Sequence, residues 1–111
     1  MSNYMSNMDN TEAFTELFLD KAEKTIVVND LIEYGAAIGQ PKMFNAMLWQ
    51  RLGRVYSEDG NKGYSGNAIW DCDLKKFIYW IESWEWKDGR THRTLYFFES
   101  SEVVEEALSA I

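Results

Sequence analysis

The spacing of apolar residues predicts three helices in the first half of the chain. The first covers residues 10–23, where one helical face carries Phe14, Leu17, Phe18 and Ala22. A β-branched strand at residues 25–28 precedes the second helix, which Asn29 or Asp30 caps and Gly39 ends. The third helix covers residues 41–52, with an apolar stripe of Met43, Phe44, Met47, Leu48 and Leu52.

Strand and turn patterns dominate the second half. Residues 54–56 and 64–70 are predicted strands, separated by a polar, glycine-containing turn at residues 58–63. Residues 71–83 have the aromatic content of a strand, but their apolar positions do not alternate, which favours a helix. Asp88-Gly89 then joins residues 84–87 to residues 91–98 as a β-hairpin, and Ser100 or Ser101 caps a last helix.

The predicted order is helix, strand, helix, helix, strand, turn, strand, and over residues 11–70 it resembles a winged helix. The chain has 111 residues, which fits one domain. We therefore expect a flexible lead at residues 1–9. After it, residues 10–111 form one small α+β domain, winged-helix-like, with an added β-hairpin and a short C-terminal helix.

The sequence lacks the residue sets that most catalytic and metal sites require. One cysteine (Cys72) and one histidine (His92) cannot supply the ligands that zinc prefers. Asp71, Asp73 and Lys75, with Glu58 or Asp59 upstream, match a nuclease-type magnesium pattern, but Glu85-Trp86-Lys87 repeats that spacing by chance. We expect no enzyme activity, no cofactor and no metal.

The sequence also indicates where the protein works. No apolar run approaches the roughly 20 residues that span a bilayer, so no membrane partner is expected. The N-terminus has no basic and apolar signal-peptide pattern, and a single cysteine is typical of a reducing compartment. These features predict a cytoplasmic protein.

The distribution of charge along the chain leads to the main functional hypothesis. The net charge of −7 is concentrated at the two ends, with −5 over residues 1–35 and −4 over residues 99–111. Acidic helix faces of this kind can imitate nucleic acid and occupy a basic groove of a protein target, with tryptophans as anchors. The predicted partner-binding residues are Glu12, Glu16, Asp20, Glu23, Trp84, Trp86, Glu102, Glu105 and Glu106.

The hypothesis is a small acidic inhibitor or adaptor from a phage or other mobile element. It would block a host defence or nucleic-acid-processing protein by contact. In composition the chain resembles many anti-CRISPR proteins. An immunity or antitoxin protein would have the same acidic, compact profile. The sequence does not separate these two roles, name the target or fix the oligomeric state.

A winged-helix DNA-binding regulator is the alternative, because residues 36–70 carry a net charge of +2. Its third helix would enter the major groove while the following turn contacts the backbone. The residues that would contact nucleic acid are Lys42, Asn45, Gln50, Arg51, Arg54 and Lys62.

Overall fold

The computed structural model describes residues 11–39, 49–72 and 74–110, with side chains from residue 16 onward. The predicted lead at residues 1–9 lies outside this part of the chain. In chain order the elements are α1 (Thr11–Lys21), β1 (Lys24–Val28), α2 (Leu31–Ala37), β2 (Trp49–Tyr56), β3 (Lys62–Asp71), β4 (Lys76–Lys87), β5 (Arg90–Phe98) and α3 (Ser101–Ser109).

The five strands form one antiparallel sheet in the order β1-β5-β4-β3-β2. Strands β2 to β5 follow one another as a meander, and β1 adds to the free side of β5. The turn between β4 and β5 places Asp88 at φ 55° and Gly89 at φ 78°. Two successive positive φ values give a turn whose twist matches that of the paired strands, as the Asp-Gly pair predicts.

Helices α1 and α3 cover one face of the sheet, called here the α1/α3 face. Tyr64, Ile81 and Tyr96 point to this face and form a buried cluster with Phe18 of α1 and Val104 of α3. The rings of Phe18 and Tyr64 meet edge to face, with centroids 5.1 Å apart. Because both helices bury their apolar side here, their polar sides face away from the sheet.

Helix α2 covers part of the opposite face, called here the α2 face. Ile38, just after this helix, packs there with Ile69, Trp80 and Leu95. The Trp80 indole Nε1 donates a hydrogen bond of 3.2 Å to the Tyr34 hydroxyl. Burial raises the pKa of that hydroxyl well above its usual range, with a smaller contribution from the Glu82 carboxylate.

The predicted winged-helix-like α+β architecture is wrong. A winged helix is rich in helix, whereas this chain is mostly a five-stranded antiparallel sheet with three short helices. The predicted third helix, residues 41–52, runs into β2, which occupies residues 49–52; residues 41–48 lie outside the described residues. Helix propensity and the helical spacing of apolar residues give the wrong structure for residues 49–52, because pairing with β3 decides the conformation of these residues.

The helix predicted for residues 71–83 is also wrong, because β4 begins at Lys76. Strand β4 is central in the sheet, and its middle part is buried on both faces. Ile81 therefore packs on the α1/α3 face, while Ile78 and Trp80 pack on the α2 face. A strand buried on both sides needs apolar residues at odd and even positions, which removes the alternation that marks a half-buried strand.

Candidate functional site

Helices α1 and α3 bring acidic residues from both ends of the described chain to the same side of the sheet. The two helices contact each other on the α1/α3 face. Their exposed carboxylates, called here the acidic helix face, are Glu16, Asp20, Glu102, Glu105 and Glu106. Of the other predicted acidic residues, Glu23 is exposed in the connection after α1, and the side chain of Glu12 lies outside the described side chains.

Local sequence fixes the orientation of α3. Ser100 caps the helix, and its hydroxyl accepts a hydrogen bond of 3.3 Å from the Val103 backbone N–H. Val104, Ala107 and Leu108 are buried against the sheet, so the glutamates at intervening positions point outward. Among the described residues, none of the carboxylates in the acidic helix face lies within 4.0 Å of a lysine or arginine nitrogen. The face is therefore an exposed acidic surface without salt bridges among the described residues.

The predicted tryptophan anchors lie on the other side of the sheet. Trp84 and Trp86 alternate with Glu85 along β4, which places them on the α2 face with Trp80. Trp84 is partly buried, and its ring lies against Gly63, where an added Cβ would come within 2.7 Å of it. Trp86 is 54% exposed. The structure does not bring these tryptophans and the acidic helix face into one surface.

The residues predicted to contact nucleic acid are also divided between the faces. Lys42 and Asn45 lie outside the described residues. Gln50 pairs with Ala68, and Lys62 precedes Tyr64 by two positions, so both belong to the α1/α3 face. Arg51 and Arg54 pair with Asn67 and Ser65 on the α2 face. The recognition helix that these residues required is a strand in its described part.

On the α2 face, Arg51 and Arg54 are joined by a third arginine, Arg93 of β5. Together they border a cleft of about 240 Å³, called here the arginine groove. Its lining residues are Arg51, Arg54, Ser65, Glu82, Trp84, Thr91 and Arg93. Arg93 is not among the site residues that the sequence predicts, because it lies about 40 residues from Arg54 in the chain and only strand register brings the two together.

Aromatic rings and one carboxylate hold the three guanidinium groups. The Arg51 guanidinium lies 5.0 Å from the Trp49 ring centroid, and that of Arg54 lies 5.2 Å from the ring of Tyr56. The Arg93 Nε lies 3.4 Å from a Glu82 carboxylate oxygen. Three positive groups against one negative group leave the groove with a local excess of positive charge on an acidic protein.

The candidate catalytic residues are far apart. Asp71 and Cys72 lie at the end of β3, whereas Glu58 and Asp59 lie before its start, about 30 Å away at the rise of an extended strand. The Asp71 carboxylate accepts a 3.0 Å hydrogen bond from the Leu74 backbone N–H and so organises the turn before β4.

His92 lies near the opposite end of the sheet from Cys72. Its Nε2 is 3.2 Å from the Lys87 carbonyl oxygen. Within residues 11–39, 49–72 and 74–110, no three His, Cys, Asp or Glu side chains are placed to hold a metal ion.

Comparisons with protein-family models, with curated proteins and with solved structures found no match. No helix in the described part of the chain is both long enough and apolar enough to cross a membrane.

Proposed function

We propose that the protein is a binding protein, not an enzyme, and that it inhibits a partner protein by placing the acidic helix face against a basic surface. The partner surface would be one that normally contacts nucleic acid, as in the host proteins that mobile elements block. One observation carries the proposal: helices separated by most of the sequence present carboxylates on the same side of the sheet, and among the described residues none of these carboxylates forms a salt bridge.

Long-range attraction between opposite charges supports this proposal. Exposed carboxylates attract a basic surface over distances near the Debye length, about 8–10 Å at physiological salt. They raise the association rate and reject other acidic surfaces, which gives specificity. The helices that carry them are anchored through buried residues such as Phe18 and Val104, so the charges are held by a rigid scaffold rather than by a loop. Leu19, 52% exposed on α1, adds an apolar contact at the edge of this surface.

The test is an affinity purification of the tagged protein with nuclease treatment, repeated with Glu105→Lys/Glu106→Lys. Both side chains are exposed on α3. Glu102 is left in place because it lies in the first turn of α3, where a negative charge favours the helix. A partner protein should survive nuclease with the wild type, and its affinity for the double variant should fall at least tenfold.

The matched control is Glu58→Lys/Glu85→Lys, which changes the net charge equally at exposed positions outside α1 and α3, in the turn after β2 and near the hairpin end of β4. It should retain the partner. If both double variants lost affinity for the partner equally, the effect would depend only on net charge, which would contradict the proposal. Recovery of nucleic acid in place of a protein would contradict it as well. Thermal melts of all three proteins separate lost binding from lost folding.

A further inference from the structure

We propose that the arginine groove on the α2 face binds a nucleoside phosphate, with the phosphate on Arg51, Arg54 and Arg93 and the base against Trp84. This site lies on the opposite face of the sheet from the acidic helix face, so the inference does not rest on the proposed function. It follows from three features of the groove: its charge, its preorganisation and its shape.

The charge of the groove selects an anion. Arg51 and Arg54 are exposed on β2, and the Arg93 side chain is 32% exposed on β5. Glu82 offsets one of these positive charges. A guanidinium presents N–H donors in a planar fork that matches phosphate oxygens in pairs, so several arginines around one cleft favour phosphate over a single carboxylate. The Ser65 and Thr91 hydroxyls, which also line the cleft, add neutral donors.

Contacts on the sheet hold two of the arginines before any ligand arrives. Trp49, whose ring lies beside the Arg51 guanidinium, donates a 3.1 Å hydrogen bond from its indole Nε1 to the side-chain Oδ1 of Asn67. Asn67 is only 2% exposed, which fixes the indole. The Tyr56 ring supports Arg54 in the same way. Side chains held in place lose less entropy on binding than free arginines would.

The shape of the groove leaves room for the flat ring of a nucleobase next to the phosphate. Small residues of β3, Gly63 and Ser65, lie between the longer side chains of β2 and β4. The Trp84 indole lies over Gly63 and directly opposite Arg93 in the pairing of β4 with β5. An indole is a good stacking surface for a nucleobase, and such stacking tolerates any base. At about 240 Å³ the groove admits a phosphate and part of a nucleoside rather than a large cofactor.

The experiment is calorimetric titration of the full chain with adenosine 5′-monophosphate, adenosine, inorganic phosphate and a short single-stranded oligonucleotide. Adenosine monophosphate should bind, and adenosine should bind at least tenfold more weakly because it lacks the phosphate. A much higher affinity for the oligonucleotide, falling steeply with salt, identifies the source of the nucleotide as single-stranded nucleic acid. Equal affinities identify a free nucleotide. If none of the four probes binds, the proposal is refuted.

Arg54→Gln tests the assignment, and Arg90→Gln is its matched control. Arg90 is also an exposed arginine in a strand, but it lies on the α1/α3 face at the hairpin end. Arg54→Gln should weaken binding about tenfold or more, as expected for loss of one charge-assisted contact, while Arg90→Gln leaves binding unchanged. Equal effects of the two changes would refute the site. Arg51→Gln repeats the test if Arg54→Gln does not fold.

Discussion

Gly66 marks the closest approach between α3 and the sheet, which makes Gly66→Ala an informative perturbation. A Cβ at this position would lie 2.8 Å from both the Leu108 Cδ1 and the Val104 Cγ1 atoms. Neither neighbour has room to withdraw, because Val104 is 0% exposed and Leu108 is 8% exposed. The added methyl group must therefore displace α3 or force its side chains from their preferred rotamers.

The expected cost follows from two opposing effects. Overpacking a well-packed core costs about 1–3 kcal/mol. Replacing glycine also restricts the unfolded chain, which returns about 0.4–1 kcal/mol where the backbone accepts alanine. The free energy of unfolding should thus fall by roughly 1–2 kcal/mol, and Tm by roughly 4–8 °C for a chain of this size.

Gly35→Ala is the matched control, because a Cβ at Gly35 in α2 meets nothing within 4 Å. Alanine favours helix over glycine by up to about 1 kcal/mol, so this variant should melt at the wild-type temperature or above it. The assays are urea unfolding for the free energy and thermal unfolding for Tm, both followed by circular dichroism. A Gly66→Ala variant as stable as Gly35→Ala would refute the close packing of α3 on β3.

Two further predictions concern burial. Burial raises the pKa of Tyr64 to about 12, with smaller effects from Tyr96 and Glu85. The stabilisation that comes from keeping the Tyr64 hydroxyl protonated is therefore complete below the unfolded-state pKa of about 10. It is lost as the pH rises towards 12. Tyr64→Phe should reduce the loss of stability between those pH values, measured by urea midpoints; an unchanged slope would contradict this. Trp80→Ala should cost about 3–5 kcal/mol because Trp80 is 0% exposed, whereas Trp86→Ala, at a half-exposed position, should change stability far less. Similar losses in thermal melts of the two variants would contradict the assigned burial.

Local signals in the sequence predicted several elements correctly. The structure selects Asp30 from the two caps predicted for α2 and Ser100 from the two predicted for α3, and the hairpin turn lies at Asp88-Gly89 as predicted. Each depends on side chains and backbone conformation within a few residues. The same holds for β1, whose β-branched run is visible directly.

Features that depend on distant pairing were not predictable in this way. Strand β4 resembles a helix in sequence because apolar residues serve both faces, and nothing local reveals that both are covered. The arginine groove needs the register that places Arg54 beside Ser65, and Ser65 beside Glu82. Shifting one strand by a single residue would send an arginine to the other face. The carboxylates of α1 and α3 could be identified from the sequence, but the sequence did not predict that they would lie on one side of a sheet.

The pairing of β1 with β5 has a consequence for how the protein is made. Residues 24–28 leave the ribosome early, yet their partner, residues 93–97, is synthesised some 65 residues later. Until then β1 exposes unpaired backbone groups and the apolar side chains of Ile26 and Val28. The hairpins of β3, β4 and β5 form between neighbouring segments and can assemble first, whereas β1 must close a long loop. The first strand of the sheet to be synthesised is therefore the last to find its partner, and β1 is the segment most open to chaperones or to mispairing meanwhile.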